Sequence, residues 1–172
     1  MKAILMSIQP KWCAKIASGE KTIEVRKTRP KIETPFKCYI YCTKGKEVLV
    51  TNKVVSWTGE VIGEFVCDKI YGVAITGVFE NGEQLPIDIF KHSCLTVNEF
   101  HNYVGIKNRY GWHISELKIY DKPKELREFR KPSKEYHEIF EKEGRLIFAD
   151  GWMNEPITRA PQSYMYVEEL ED

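Results

Sequence analysis

The nine residues Ser18-Gly19-Glu20-Lys21-Thr22-Ile23-Glu24-Val25-Arg26 concentrate the most suggestive chemistry in this chain. Gly19 permits a tight turn out of a preceding helix, and Lys21 leaves that turn at the mouth of a strand. From Thr22 to Arg26 the residues alternate, so Ile23 and Val25 share one face while Thr22, Glu24 and Arg26 share the other. Glu24 and Arg26 then stand roughly 6.5 Å apart along the strand. An Arg fork, a Lys point charge and a Glu acceptor or base together can fix an anionic or amide-bearing ligand. The same trio can equally be a structural ion pair on a rim, worth about 0–1 kcal/mol when exposed. Spacing alone leaves both readings open.

Other side chains are weaker candidates. Trp12 can wall a cleft by stacking on a base, or it can be a core residue of an amphipathic helix. Tyr39 and Tyr41 flank Ile40 on one strand face and form either a ligand platform or a covered surface. On the opposite face, Cys38 and Cys42 read as reduced thiols filling a core, since no companion ligands stand at zinc spacing. Ser163 stands at the start of a late strand, able to donate to a ligand or only to satisfy backbone. His92, His101, His113 and His137 form no metal pattern, and neither a nucleophile elbow nor a phosphate-binding Gly-rich loop is present. Nothing calls for a metal or a cofactor.

The elements that must position these residues are short. Ile4 to Gln9 reads as a strand, Pro10 opens a helix that Gly19 stops, and Phe36 to Thr43 is the next strand. Lys44 to Gly59 reads as an insertion or long hairpin, and 61–70 resumes strand character. Asn81-Gly82 marks a turn, and Thr96-Val97-Asn98-Glu99 is a capping box that opens a short helix ending near Gly105. Trp112 to Tyr120 reads as a strand with a bend or bulge after Ile114. Lys134 to Lys142 is expected to be a surface helix, Gln162 to Val167 a closing strand, and the acidic tail 168–172 frayed. Many short strands with few helices describe a β-rich barrel with peripheral helices.

At Gly19, Lys21, Glu24 and Arg26 the sequence resembles the ASCH domain family of the PUA-like superfamily, whose signature is G-x-K-x-x-E-x-R. The stretches ILMSIQPKW, PFKCYIYCT, GEVIGEFVCD, YGWHISELKIYDKPKEL and RAPQSYMYV support the likeness in chain order. The resemblance implies a single domain over 1–172. Its core is about 1–130 plus a closing strand at 159–168, with 131–158 a helical elaboration. It also implies a PUA-like β-barrel with a cleft beside the first helix, and a ligand that is RNA or a modified nucleoside or nucleotide. Trp12, Lys21, Glu24, Arg26 and Ser163 would be the binding residues.

One branch of that family hydrolyses the amide of N4-acetylcytidine, and another has ribonuclease activity. If this chain were an enzyme of that kind, Lys21 and Glu24 would be its catalytic pair. The amidohydrolase branch carries Thr where this chain has Glu24, which removes a hydroxyl nucleophile. Glu99 is only a loose counterpart of that branch's third carboxylate.

Composition bounds the rest. The chain has 172 residues, 42% hydrophobic and 30% charged, which suits one folded domain. No apolar run approaches the ~18 residues of a membrane span. The N-terminal stretch does not read as a signal peptide, and five cysteines without a C-x-x-C couple suit a reducing compartment, so a cytoplasmic protein is expected. Residues 1–31 hold eight Lys/Arg against two Glu, a net +6, whereas the remainder holds 18 against 23, a net −5. That asymmetry points to a local anion site or to a solvated rim.

Overall fold

The computed structural model describes residues 1–45, 48–50, 53–55, 57–104, 109–142 and 145–170. The strands and helices follow in the order β1 (Lys2–Ile8), α1 (Pro10–Ala17), β2 (Ile23–Arg26), β3 (Phe36–Cys42), β4 (Val48–Val50) and β5 (Lys53–Val55). Next come β6 (Val61–Cys67), β7 (Ile70–Ala74), β8 (Gly77–Glu80), β9 (Glu83–Leu85), α2 (Ile89–Ser93) and α3 (Val97–Val104). Finally come β10 (Arg109–His113), β11 (Ser115–Lys124), β12 (Lys134–Lys142), β13 (Arg145–Met153) and β14 (Tyr164–Glu168).

These strands make two five-stranded sheets, β11-β6-β3-β1-β14 and β2-β10-β7-β8-β9, with β4-β5 and β12-β13 as separate hairpins. The β-rich fold is as expected, and among the described residues the strand pairings form these two ladders. Ile114 joins them. It is the single residue between β10, in one sheet, and β11, in the other. The expected bulge follows at Glu116, where φ is +47° and the β11–β6 register slips.

Three apolar clusters hold the layers together. Ile4, Met6, Ile8, Cys38, Ile40, Cys42, Phe65 and Trp112 fill the space between the sheets. On the other face of the first sheet, Leu5, Tyr39, Tyr41 and Val61 meet Phe129 and Ile157. Ile23 and Val25 join Tyr71, Val73 and Phe100 beneath α2 and α3. Strands β1 and β3 are therefore buried on both faces, and Tyr39 and Tyr41 form a covered surface rather than a platform. Burial pushes the Cys67 thiol up to about 12, and those of Cys13 and Cys38 well above the usual thiol range. Such thiols pack and do not react.

Local sequence accounts for several boundaries. Pro10 occupies the start of α1, and Gly19 takes φ +76° just beyond its end. Thr96 and Glu99 cap α3 reciprocally, Thr96 Oγ1 accepting from the Glu99 N–H (3.2 Å) and Glu99 Oε2 from the Thr96 N–H (3.0 Å). The expected stop at Gly105 lies outside the described residues. Asn81 and Gly82 both take positive φ in the two-residue turn between β8 and β9.

Two expectations are corrected. Lys134–Lys142 is a strand, not a helix, and with Arg145–Met153 it makes a nine-pair antiparallel ladder. The Glu and Lys of this run favour a helix locally, but a partner rich in Leu, Ile and Phe supplies the pairing that a strand needs. The start of the acidic tail is also tied down. The Glu169 N–H donates to the Met1 carbonyl (2.8 Å), and the Leu170 N–H donates to the Tyr39 hydroxyl (2.8 Å).

Gly63, on β6, sits where no side chain fits. A Cβ there would lie 2.4 Å from the Lys118 carbonyl oxygen on β11. Gly63→Ala is expected to lower stability by about 1–3 kcal/mol through forced separation of the two strands. A urea denaturation midpoint equal to that of the parent protein would show that the ladder yields freely. Among the described residues, no helix is long and apolar enough to cross a membrane.

Candidate ligand cleft

β2 places its charged face between the sheets. Glu24 is the direct cross-strand neighbour of Trp112, and Arg26 of Tyr110, so all four share one side of the ladder. Lys21, Glu24 and Arg26 are accordingly 2%, 7% and 7% exposed. Glu24 is held from both sides, Oε2 at 3.3 Å from Lys21 Nζ and Oε1 at 3.3 Å from Arg26 Nη2. Arg26 Nη2 also donates to the Ser7 carbonyl on β1 (2.8 Å), which bridges the two sheets. Lys21 Nζ donates to the carbonyls of Ser93 (2.7 Å) and Ile23 (3.0 Å), tying the end of α2 to β2. The trio is a buried network, not an exposed rim pair.

Two polar atoms of this network lack hydrogen-bond partners: Glu24 Oε2, which only faces the Lys21 ammonium, and Arg26 Nε. Both residues line a cavity of about 660 Å³. Trp12, Lys21 and Ser163 line the same cavity, so all five candidate binding residues meet there. Trp12 is both a core contact and a cavity-lining residue. It packs against the intersheet core and presents its ring to the cavity, with Lys11 Nζ 4.1 Å and Lys21 Nζ 5.3 Å from the ring centroid. Ser163 approaches from the start of β14, its carbonyl accepting from the Ser7 N–H (2.9 Å).

Glu99 is not part of the wall. It binds Lys11 (2.8 Å) and caps α3, linking α3 to α1 across the rim. The Lys11 hydrogen bond, aided by those of Thr96, holds its carboxyl down at about 2. A carboxyl depressed on folding contributes its stability above its ordinary pKa, and that contribution is lost as pH falls through the folded value. Glu99 is therefore expected to titrate near pH 2 by carboxyl-carbon NMR. A midpoint at or above about 4 would mean that the α1–α3 link does not form in solution.

Sequence reasoning missed Tyr103, Lys27 and Thr28, all of which line the cavity. Burial raises the Tyr103 hydroxyl above the ordinary tyrosine range, opposed by the neighbouring Arg26. Its position three residues after the buried Phe100 was the available signal, since that spacing shares a helix face. The basic asymmetry is partly consumed at the surface, as Lys11 pairs with Glu99 and Lys15 with Glu20. Among the described residues, no cluster of His, Cys, Asp and Glu is placed to hold a metal.

No family model and no curated protein matches the chain. Solved structures do. The structure of ASCH from Zymomonas mobilis aligns with a TM-score of 0.55 at 18% identity, covering 72% of this chain and 73% of that one. A Tyr→Phe variant of ZmASCH aligns at 0.54 and 17% identity, over 73% of this chain and 77% of its own. A Ser→Ala variant aligns at 0.53 and 17% identity, over 72% and 74%. The protein is thus a β-rich, two-sheet domain with the ASCH fold.

Proposed function

We propose that this protein is an ASCH-family, PUA-like binding module for RNA or a nucleotide-like ligand, with a cytoplasmic role in RNA metabolism. The observation that carries this reading is the convergence of Trp12, Lys21, Glu24, Arg26 and Ser163 on one cavity of about 660 Å³. That volume lies within the range of small-ligand pockets, and a half-buried aromatic beside fixed polar groups suits a stacked base. Glu24 and Arg26 line that cavity and carry the acceptor and donor groups that a base's edge requires.

The test is fluorescence anisotropy with single-stranded and structured RNAs at several salt concentrations. Binding is expected to weaken steeply with salt as phosphate contacts release counterions. Trp12→Ala is expected to weaken it about 5- to 150-fold, the worth of one lost base stack. Absence of saturable binding at low salt would overturn the proposal.

One observation favours a second reading, hydrolysis of an acylated nucleobase amide. Glu24 lines the cavity and its buried Oε2 has no hydrogen-bond partner, so a side-chain movement that exposed it would present a base to water. It would accept a proton from water while the hydroxide oxygen bonds the amide carbonyl carbon. The proton would then pass to the leaving nitrogen as the C–N bond breaks. Lys21 has committed two donors to main-chain carbonyls, so in this scheme it orients Glu24 rather than serving as a free oxyanion donor. Incubation with N4-acetylcytidine and with unmodified RNA separates deacetylation from strand cleavage. Turnover by the parent that Glu24→Gln loses, at a temperature where circular dichroism shows the variant still folded, would raise the enzyme above the binding module.

A further inference from the structure

At the cavity mouth the chain leaves β2 through Lys27-Thr28-Arg29-Pro30-Lys31, and nothing in the triad explains why this exit is so basic. Lys27 and Thr28 line the cavity itself. Lys27, Arg29 and Lys31 are all exposed, and among the described residues none of them forms an ion pair. Glu33 is the only acidic residue between β2 and β3.

The segment is nevertheless held in place. Pro30 is buried, and Ile32 packs against the intersheet core. The Lys31 N–H donates to the Tyr166 hydroxyl (2.7 Å), and the Thr28 hydroxyl donates to that of Tyr164 (3.3 Å). Two tyrosines of β14 thus anchor the segment, one at the Lys31 backbone and one at the Thr28 side chain, while its cationic side chains stay exposed and free of ion pairs. Lys27 Nζ lies 5.3 Å from the Tyr103 ring centroid, which keeps the first cation beside the opening. Exposed cations free of ion pairs, on an anchored segment beside the cavity, match a phosphate of a ligand seated there.

We propose that residues 27–31 form a phosphate-reading rim, so that the ligand is a phosphorylated nucleotide, either free or within an RNA strand, and not a bare nucleoside. The inference rests on the reading of the cavity as a nucleotide site. Its test compares the four nucleosides, their 5′- and 3′-monophosphates, and a mixed-sequence single-stranded RNA ten-mer by calorimetry and anisotropy. The probes are applied to the parent protein and to Arg29→Ala/Lys31→Ala, neither of which lines the cavity. The parent is expected to bind a monophosphate at least tenfold more tightly than its nucleoside. The double variant should lose that preference, and its slope of log affinity against log salt for the ten-mer should fall by about 1.4, or about 0.7 per lost phosphate contact.

Preference for the ten-mer over monophosphates would assign the rim to a strand, and equal affinity would assign it to a free nucleotide. Equal binding of nucleoside and monophosphate by the parent would overturn the proposal while leaving the nucleotide site standing. An unchanged salt slope in the double variant would do the same. Failure of every probe to bind would overturn both.

Discussion

Glu24→Gln is expected to destabilise the protein by about 3–5 kcal/mol, more than Lys21→Met. The exchange preserves shape but leaves the Lys21 ammonium and the Arg26 guanidinium buried together with no anion between them. Lys21→Met is a milder lesion, because Glu24 keeps Arg26 as its counter-charge. What it loses is the donor to the Ser93 and Ile23 carbonyls, about 0.5–1.5 kcal/mol net for each hydrogen bond. Urea denaturation of the two variants and the parent, at constant m, measures the order directly. A Glu24→Gln midpoint above that of Lys21→Met would mean that solvent reaches the network and screens it. The same arithmetic makes Trp12, half-buried and outside the ion network, the cleaner probe of binding.

Trp112→Ala is expected to cost about 3–5 kcal/mol, the usual range for emptying a buried aromatic site. Trp112 is fully buried between the sheets, with its ring 5.6 Å from that of Phe36 and 5.1 Å from that of Tyr164. Its indole nitrogen has no hydrogen-bond partner among the described residues. Trp112→Phe therefore removes an orphan donor along with some volume, and is expected to cost less than half as much. Because Trp112 stands opposite Glu24 in the ladder, the Ala variant should also loosen the cavity floor and weaken ligand binding. Equal denaturation midpoints for the Ala and Phe variants would show that ring packing contributes little at this position.

The short-range features were legible because they depend on neighbours in sequence. Alternation from Thr22 to Arg26, the Thr96/Glu99 box and the Asn81-Gly82 turn all appear in the structure as read. The five residues singled out in the sequence line one cavity, and their role as ligand contacts is the proposal made above. What alternation cannot supply is which face meets a second layer. Ile23 and Val25 were the evident inward pair, yet Glu24 and Arg26 are buried as well, because sheets and helices cover both sides of β2. The two-sheet arrangement hinges on Ile114, where broken alternation marked a bend but could not say that the chain changes sheets there. The strand at Lys134–Lys142 depends on a partner that a nine-residue window does not contain.

The first strand of the fold takes its edge partner from the last: Lys2 pairs with Glu168 and Met6 with Tyr164. During synthesis, β1 emerges long before its neighbour exists and must wait through some 150 residues of chain, a separation that slows folding and prolongs exposure of an apolar edge. Ser163, Gln162 and the two tyrosines that fasten the 27–31 rim arrive with that final strand. An incomplete chain therefore carries Lys21, Glu24 and Arg26 without a finished enclosure around them. If the cavity is the ligand site proposed above, ligand competence requires β14 to have docked, and the seam between the two strands couples it to formation of the last strand.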